Sequence, residues 1–353
     1  MSSMKIPECP FPNPYNHKII WTPFTGHIDT DIIGHIILNE DKTFFKIMLF
    51  KMFCGDTGYY RGQNENFTSF KTSYQKLDSD LDRCLGLIQK QIFIDWFLRT
   101  PYFDYFANRY EFAEKADIPE GQGAKFCFDF EAIAQHYGFP TNYLDITTKK
   151  DIAEFFAYCY WDKKTGEYKP REIFTDEHKP FLFESKYNSV LNHPFNKDIK
   201  IIGFQPLYRP ILQFAMGIDL GQTTVDYNEE FYKIELPCDK KRAFAVFDKF
   251  EGGKKIFPDD YASIAASMIK SRVKKERIIS INSFEKYCEK YNVNRKETEI
   301  LLKENGYKFS DEELKISDNV KIDMQKEIEE KLIPWIDEFV EYRPIVRGKA
   351  VRR

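Results

Sequence analysis

Residues 135–148 read Gln135-His136-Tyr137-Gly138-Phe139-Pro140-Thr141-Asn142-Tyr143-Leu144-Asp145-Ile146-Thr147-Thr148. A helix predicted at 129–137 ends at Gly138 and Pro140, residues that commonly follow helix C-termini. A strand at 143–146 comes next, and a helix with an apolar face is predicted at 149–160. This succession of helix, turn, strand and helix indicates a domain built from both element types.

The rest of the chain extends this pattern in both directions. Upstream, the sequence predicts a hairpin over 32–52, a strand ending in Tyr60-Arg61-Gly62-Gln63, and a helix over 73–106 that Pro101 closes or kinks. Downstream, short strands are predicted at 181–185, 200–204, 211–220, 231–236 and 244–247. Helices are then predicted at 261–270 and 283–291, followed by an amphipathic segment at 324–340.

Short strands separated by turns favour antiparallel pairing. The predicted fold class is therefore α+β, with a central mixed, mostly antiparallel sheet flanked by helices and a helical C-terminal region. Because no repeat or low-complexity linker divides the chain, we place the boundaries where the pattern changes. We expect an irregular N-terminal arm over 1–39, an α+β domain over 40–280 and a charged helical C-terminal region over 281–353.

The composition is that of an ordinary globular protein, with 42% hydrophobic and 30% charged residues. The net charge of -3 gives no overall electrostatic reason to expect a polyphosphate partner. The longest apolar run, near 32–38, is far shorter than the roughly 20 residues that span a bilayer, and the N-terminal residues lack the apolar core of a signal peptide. We therefore expect a cytoplasmic protein with no membrane partner.

The cysteines and the familiar catalytic patterns exclude several classes of site. The 7 cysteines are scattered and form no CxxC pair, which favours reduced thiols over a disulfide framework or a zinc site. Cys159 lies in an apolar run and is predicted to be a core residue. No metal is expected, and P-loop, GxGxxG, HExxH and GxSxG patterns are missing from the sequence.

Two segments concentrate side chains that could do chemistry. Arg61 precedes Gly62 at a strand end, where its guanidinium could hold a phosphate or carboxylate, or tie strand to loop through an ion pair. His136 is a candidate for proton transfer and Asp145 for orienting it, although either could instead cap a helix or a turn. Polar groups clustered between a helix and a strand are costly to bury, so we expect this segment to line a ligand site.

The two segments together resemble the FRG domain. The motifs that carry the resemblance are Tyr60-Arg61-Gly62-Gln63, residues 134–141, Leu144-Asp145 with Thr147, Ala153 with Phe155-Phe156-Ala157, and weaker patches at 209–213 and 256–260. Asn142 and Ile146 depart from the family pattern, which commonly has arginine and tryptophan there. The resemblance covers about residues 40–270 and assigns the α+β domain to a module common in bacteria and some phages, with suspected defence or toxin roles.

The arrangement is also similar in layout to ADP-ribosyltransferases, which implies a glycosyl-transfer enzyme with NAD, a nucleotide-like small molecule, as its substrate. The acceptor would be a protein or a nucleic acid. The catalytic residues that this likeness implies are His136, Asp145 and Gln213. The implied ligand-binding residues are Tyr60, Arg61, Gly62, Gln63, Gln135, Tyr137, Thr141, Thr147, Thr148 and Arg209.

Two other functions remain open at this stage. A nucleic-acid binder or enzyme could use Arg61, His136, the many aromatics and basic runs at 240–242 and 270–277, although the net charge opposes it. A non-catalytic adaptor of a defence system could use the same pocket to sense a nucleotide-like ligand and its charged C-terminal region to meet a partner.

Overall fold

The computed structural model describes residues 30–37, 45–53, 59–67, 69–109, 125–126, 128–186, 199–202, 205–221, 226–334 and 340–344. The strands are β1 (Thr30–Ile37), β2 (Phe45–Phe53), β3 (Tyr60–Gln63), β4 (Lys125–Phe126), β5 (Tyr143–Thr147), β6 (Cys159–Asp162), β7 (Glu167–Pro170), β8 (Phe181–Ser185), β9 (Ile199–Ile201), β10 (Ala215–Asp219), β11 (Phe231–Glu235), β12 (Ile278–Ser280), β13 (Lys308–Ser310) and β14 (Val340–Pro344). The α-helices are α1 (Asp80–Phe97), α2 (Pro101–Asp104), α3 (Phe130–His136), α4 (Lys150–Tyr158), α5 (Tyr208–Leu212), α6 (Lys240–Lys249), α7 (Tyr261–Lys274), α8 (Ile281–Tyr291), α9 (Arg295–Glu304) and α10 (Asp318–Glu327).

The central sheet has six strands in the order β11-β8-β3-β5-β10-β9, and neighbouring strands within it pair antiparallel. Among the strands described, the parallel pairing is that of β12 with β13 in a separate small sheet. The predicted α+β class with a mostly antiparallel sheet is confirmed.

Helix α4 covers one face of the central sheet. Gly62 makes this close packing possible, because a Cβ at residue 62 would lie 1.7 Å from the carbonyl oxygen of Ala153. Tyr60 shares an apolar cluster with Ile152 and Phe155 of this helix. The opposite face carries a second cluster, formed by Tyr59, Phe70, Leu144, Ile146, Phe181, Phe183, Met216, Ile218, Tyr227 and Phe231.

The helices form the largest core, which lies beside the sheet. Helix α1 begins where the Ser79 side chain accepts a hydrogen bond from the Asp82 amide, and its apolar residues at helical spacing pack against α7 and α8. Leu302, Met324 and Ile328 belong to the same core, so residues beyond 281 pack on the helices of the preceding domain. In the described part of the chain, no helix combines the length and apolar composition that crossing a bilayer demands.

The N-terminal hairpin forms a sheet of its own. β1 pairs antiparallel with β2, as the sequence predicts, and the sheet is completed by β14 and β4. Residues 30–37 of the proposed arm 1–39 are therefore a strand, and residues 1–29 lie outside the described residues.

One predicted strand is shorter than expected, and another is wrong. Instead of a strand over 211–220, the chain forms α5, turns at Phe214 with a φ of 46°, and only then enters β10. Instead of a strand at 244–247, it forms α6, in which the Asp239 side chain caps the Lys241 amide. The apolar residues Ala243, Val246, Phe247 and Phe250 recur there at helical spacing, and all four belong to the cluster beneath α4.

Candidate functional site

A cavity of about 1040 Å³ opens between the sheet and the helices. Its walls come from segments far apart in the sequence: β3, the end of α3, β5, α4, the β6–β7 hairpin, α5, and residues between 247 and 270. Small-molecule sites commonly have volumes of about 300–1,000 Å³. The cavity is therefore large enough for a ligand of substantial size.

Most of the predicted site residues meet at this cavity. The predicted residues that line it are Tyr60, Arg61, Gly62, Gln135, His136, Tyr137, Asp145, Thr147, Arg209 and Gln213. Gln63, Thr141 and Thr148 were predicted with them but are not among the described lining residues. Gln63 is buried at the far end of β3, and the Thr148 amide donates to the carbonyl oxygen of Phe214 at 3.4 Å.

Arg61 ties two strands together. The backbones of β3 and β5 pair at one position, Tyr60 with Thr147. At the next residue of β3, the Arg61 Nη1 donates to the carbonyl oxygen of Asp145 in β5 at 2.6 Å. Burial lowers the pKa of Arg61, and the Asp145 charge opposes that shift. The guanidinium thus lines the cavity while it joins strands at the point where their backbone ladder stops.

Asp145 is positioned by a short chain of hydrogen bonds. Thr141 Oγ1 donates to Gln135 Oε1, and Gln135 Nε2 donates to Asp145 Oδ1. Thr141 Oγ1 also accepts from the Tyr143 amide at 3.2 Å, which fixes the hydroxyl at the start of β5. Thr141 therefore acts on the cavity through Gln135, while the exposed Asp145 carboxylate stays open to a ligand.

His136 and Gln213 form a buried pair at the cavity wall. His136 Nδ1 lies 3.0 Å from Gln213 Oε1, and the Thr147 hydroxyl donates to the Gln213 carbonyl oxygen at 2.8 Å. Burial lowers the pKa of His136, against smaller raising effects of Asp145 and Gln213. The imidazole is therefore neutral near pH 7.

Aromatic rings form one side of the cavity. Tyr168 stacks on Phe257 with ring centroids 4.9 Å apart, and Trp161 meets Tyr168 edge-on at 5.2 Å. Phe156 meets Phe257 edge-on at 5.8 Å. Trp161 is 52% exposed, so part of its face is free to stack on a planar ligand.

Two cations lie where α3 ends at the cavity. Arg209 lies over the Tyr137 ring at 4.8 Å and makes long hydrogen bonds to the carbonyl oxygens of His136 and Pro258. Lys270 Nζ donates to the Tyr137 carbonyl oxygen at 2.8 Å. Among the residues that the structure describes, neither cation has a carboxylate ion-pair partner. An anionic group of a ligand would complete their coordination.

Tyr60 and Tyr137 line the cavity and also pack in the interior. Tyr137 is buried, and its hydroxyl donates to Asp260 Oδ2 at 2.6 Å. Tyr60 is also buried, beneath α4. Sequence reasoning missed Trp161 and Tyr168 and named Lys270 only within the basic run 270–277, although the noted patch 256–260 does place Phe257 and Asp259 at the cavity. A signal for the missed residues could have been the aromatic pair that flanks the turn at Gly166.

No metal centre is evident in the described part of the chain, and the Cys159 thiol is a core group. No group of three or more His, Cys, Asp or Glu side chains there is arranged to hold a metal ion. Cys159 is buried, which confirms its predicted place in the core, and burial raises the pKa of its thiol to about 12.

Comparison with known proteins identifies one part of the chain. Neither the curated proteins nor the solved structures include a match to it. The family model of the FRG domain matches residues 56–166, a narrower span than the 40–270 expected from the motifs. The match includes β3, α3, β5, α4 and β6 and ends at Gly166, in the turn before β7. It therefore includes the part of the cavity wall that lies before residue 167. The resemblance carried by the Tyr60–Gln63 and 134–148 motifs is thus confirmed, and the chain is a protein that contains an FRG domain.

Proposed function

We propose that the cavity binds NAD and that the protein is an ADP-ribosyltransferase-like enzyme. The observation that carries the proposal is the division of the cavity into an aromatic wall and a cationic corner. Trp161, Tyr168 and Phe257 suit a planar base, and Arg209 with Lys270 suits a pyrophosphate. The volume of about 1040 Å³ lies at the upper end for small-molecule sites, as a dinucleotide requires.

The polar residues between these two walls have roles in the proposed transfer. The bond between the ribose C1′ and the nicotinamide nitrogen breaks, and nicotinamide leaves with the electron pair. The exposed Asp145 carboxylate stabilises the positive charge that develops on the ribose, and Gln135 holds it in place. The proton that the acceptor loses when its nucleophile attacks C1′ passes to solvent.

In this proposal Arg61 positions a strand instead of holding the phosphate, the first of the two roles considered from the sequence. Its guanidinium donates to the Asp145 carbonyl oxygen, so it fixes the strand that carries Asp145. In this proposal the pyrophosphate contact passes to Arg209 and Lys270. A defence or toxin role is what the FRG resemblance implies, and the cavity geometry adds no support for it.

Nucleic acid is less well supported as a partner. In the basic run 240–242, Lys240 pairs with Glu172 at 2.5 Å and Arg242 pairs with Glu154 at 2.8 Å. These acids offset the charge that would attract phosphates. Lys270, from the second basic run, lines the cavity.

Nicotinamide release and ligand binding test the proposal. The full chain is incubated with NAD and candidate protein or nucleic-acid acceptors, while binding of NAD and ADP-ribose is followed by thermal shift and calorimetry. We expect Asp145→Asn to keep ADP-ribose binding within a few-fold and to lose nicotinamide release. Asp311→Asn, an exposed carboxylate away from the cavity, is the matched control and should change neither. The proposal fails if neither ligand binds and no acceptor yields nicotinamide.

A further inference from the structure

The hydrogen bonds around Gln213 fix which way its amide points. Gln213 Nε2 lies 2.8 Å from the carbonyl oxygen of Ile256, and a carbonyl oxygen can only accept. The nitrogen must therefore be on that side, which leaves Oε1 facing His136 Nδ1 at 3.0 Å. Thr147 holds the same residue from its other end by donating to the Gln213 carbonyl oxygen at 2.8 Å.

This orientation decides the tautomer of the imidazole. Gln213 Oε1 has only lone pairs to offer, so His136 Nδ1 must carry the hydrogen that joins the two residues. In a neutral imidazole the other nitrogen then has a lone pair and no hydrogen. His136 Nε2 is thus an acceptor.

His136 Nε2 has no donor partner among the described residues, although the atom is buried and the side chain is only 9% exposed. A buried polar atom without a partner is costly, and such atoms are uncommon in folded proteins. The residue lines the large cavity and is backed by a complete chain of hydrogen bonds. One acceptor of a residue that lines the cavity is therefore left without a hydrogen-bond donor.

We propose that His136 Nε2 is the subsite for a hydrogen-bond donor of the ligand, a hydroxyl or an amide N–H, and that Gln213 is the positioning residue that sets this preference. The inference deepens the proposed function and rests on it for the ligand's presence in the cavity. A phosphate oxyanion does not suit this subsite, because its lone pairs would face the lone pair of Nε2. Ribose hydroxyls and a carboxamide suit it, while phosphates belong at Arg209 and Lys270.

Nitrogen NMR of the full chain reads the tautomer directly. The protein is labelled with ¹⁵N, and the His136 ring signals are assigned by their loss in His136→Asn. We expect a protonated Nδ1 and an unprotonated Nε2 near pH 7. Gln213→Met, which removes the acceptor opposite Nδ1, should mix the two tautomers. A protonated Nε2 in the native protein, or an unchanged tautomer in a folded Gln213→Met variant, would overturn the assignment.

Ligand titrations on the same samples test the subsite. ADP-ribose, NAD and nicotinamide are added separately, and each carries hydroxyl or amide donors. At least one should bind and move the Nε2 signal toward lower shift, as a new hydrogen bond to the lone pair does. Binding, seen by thermal shift, that leaves the Nε2 signal in place for all three probes would refute the subsite. If none binds, the proposed function and the donor subsite fall together, while the tautomer seen in the free protein still decides the role of Gln213.

Discussion

At residue 62 the sheet and helix α4 approach so closely that a side chain has no room. An added Cβ would lie 1.7 Å from the Ala153 oxygen and 2.7 Å from the Ala157 nitrogen, both backbone atoms that cannot rotate away. We expect Gly62→Ala to lower the free energy of unfolding by roughly 1–3 kcal/mol, the usual cost of overpacking, as measured by urea denaturation.

The control for this change is Gly166→Asn. A Cβ at residue 166 meets nothing within 4 Å, and its φ of 71° lies in the left-handed region that asparagine tolerates. That variant should stay close to the native stability. A Gly62→Ala protein as stable as the control would show that α4 does not rest on β3 as described.

Lys270 gives the site a pH dependence. Burial, with Lys274 and Arg209 nearby, lowers its pKa to about 8, so the ammonium loses its proton as the pH rises through that value. A phosphate is attracted to the charged form only. We therefore expect ADP-ribose affinity, measured by calorimetry, to fall several-fold between about one unit below and one unit above pH 8.

Two lysine variants distinguish the pH dependence caused by Lys270 from a general effect of removing one positive charge. Lys270→Met should weaken binding and flatten the pH dependence, whereas Lys241→Met, on α6 and away from the cavity, should preserve the native profile. An affinity that is equal on both sides of pH 8 would remove Lys270 from the phosphate site.

Arg61 shows what sequence reasoning can and cannot supply at the scale of a residue. The guanidinium before a glycine at a strand end was recognised as significant, and it does line the cavity. Its acceptor, however, is a backbone oxygen 84 residues away in the sequence. Strand pairing sets that contact, and no local pattern encodes it.

At the scale of elements, prediction succeeded where glycine and proline mark the ends of helices and strands. The helices and strand predicted at 129–137, 143–146 and 149–160 are found as α3, β5 and α4, each within about two residues, because Gly138 and Pro140 mark the break between them. Within the strand predicted at 211–220, only residues 215–219 form a strand, because a short helix and the positive φ of Phe214 come first. Apolar runs of that length do not distinguish helix from strand.

In the β6–β7 hairpin, a side chain can be removed to test ligand binding with little effect on the stability of the fold. Trp161 is 52% exposed and touches Tyr168 at the cavity wall, so its removal should leave the fold nearly unchanged. We expect Trp161→Ala to weaken ADP-ribose binding by roughly 5- to 150-fold, since stacking of one base on an aromatic side chain contributes roughly 1–3 kcal/mol.

Thermal unfolding and calorimetry of Trp161→Ala check both statements. Ile173→Ala is the matched control, because Ile173 is 75% exposed and does not line the cavity in the described structure. Unchanged affinity in the Trp161 variant would mean that the hairpin wall does not contact the ligand.

At the scale of the whole molecule, the residues that match the FRG family model and the structural unit do not coincide. The FRG match ends at residue 166, yet within the sheet β3 pairs with β8, and β5 pairs with β10. Helix α1 packs on α7 and α8, which also lie beyond the match. The aromatic wall and cationic corner are likewise completed by Phe257, Arg209 and Lys270.

These contacts predict that a fragment of residues 56–166 cannot fold alone. It would expose both edges of a β3–β5 pair and the apolar face of α1, and it would leave Tyr60 and Ile146 without the strands and helices that cover them. We expect the isolated fragment to show no cooperative thermal transition and no ADP-ribose binding, with the full chain in the same buffer as the control. The pairing of β8 with β3 and of β10 with β5 makes residues after 166 part of the same sheet as the FRG match. A fragment that unfolds cooperatively would instead mean that the residues after 166 are an addition to a domain that folds without them.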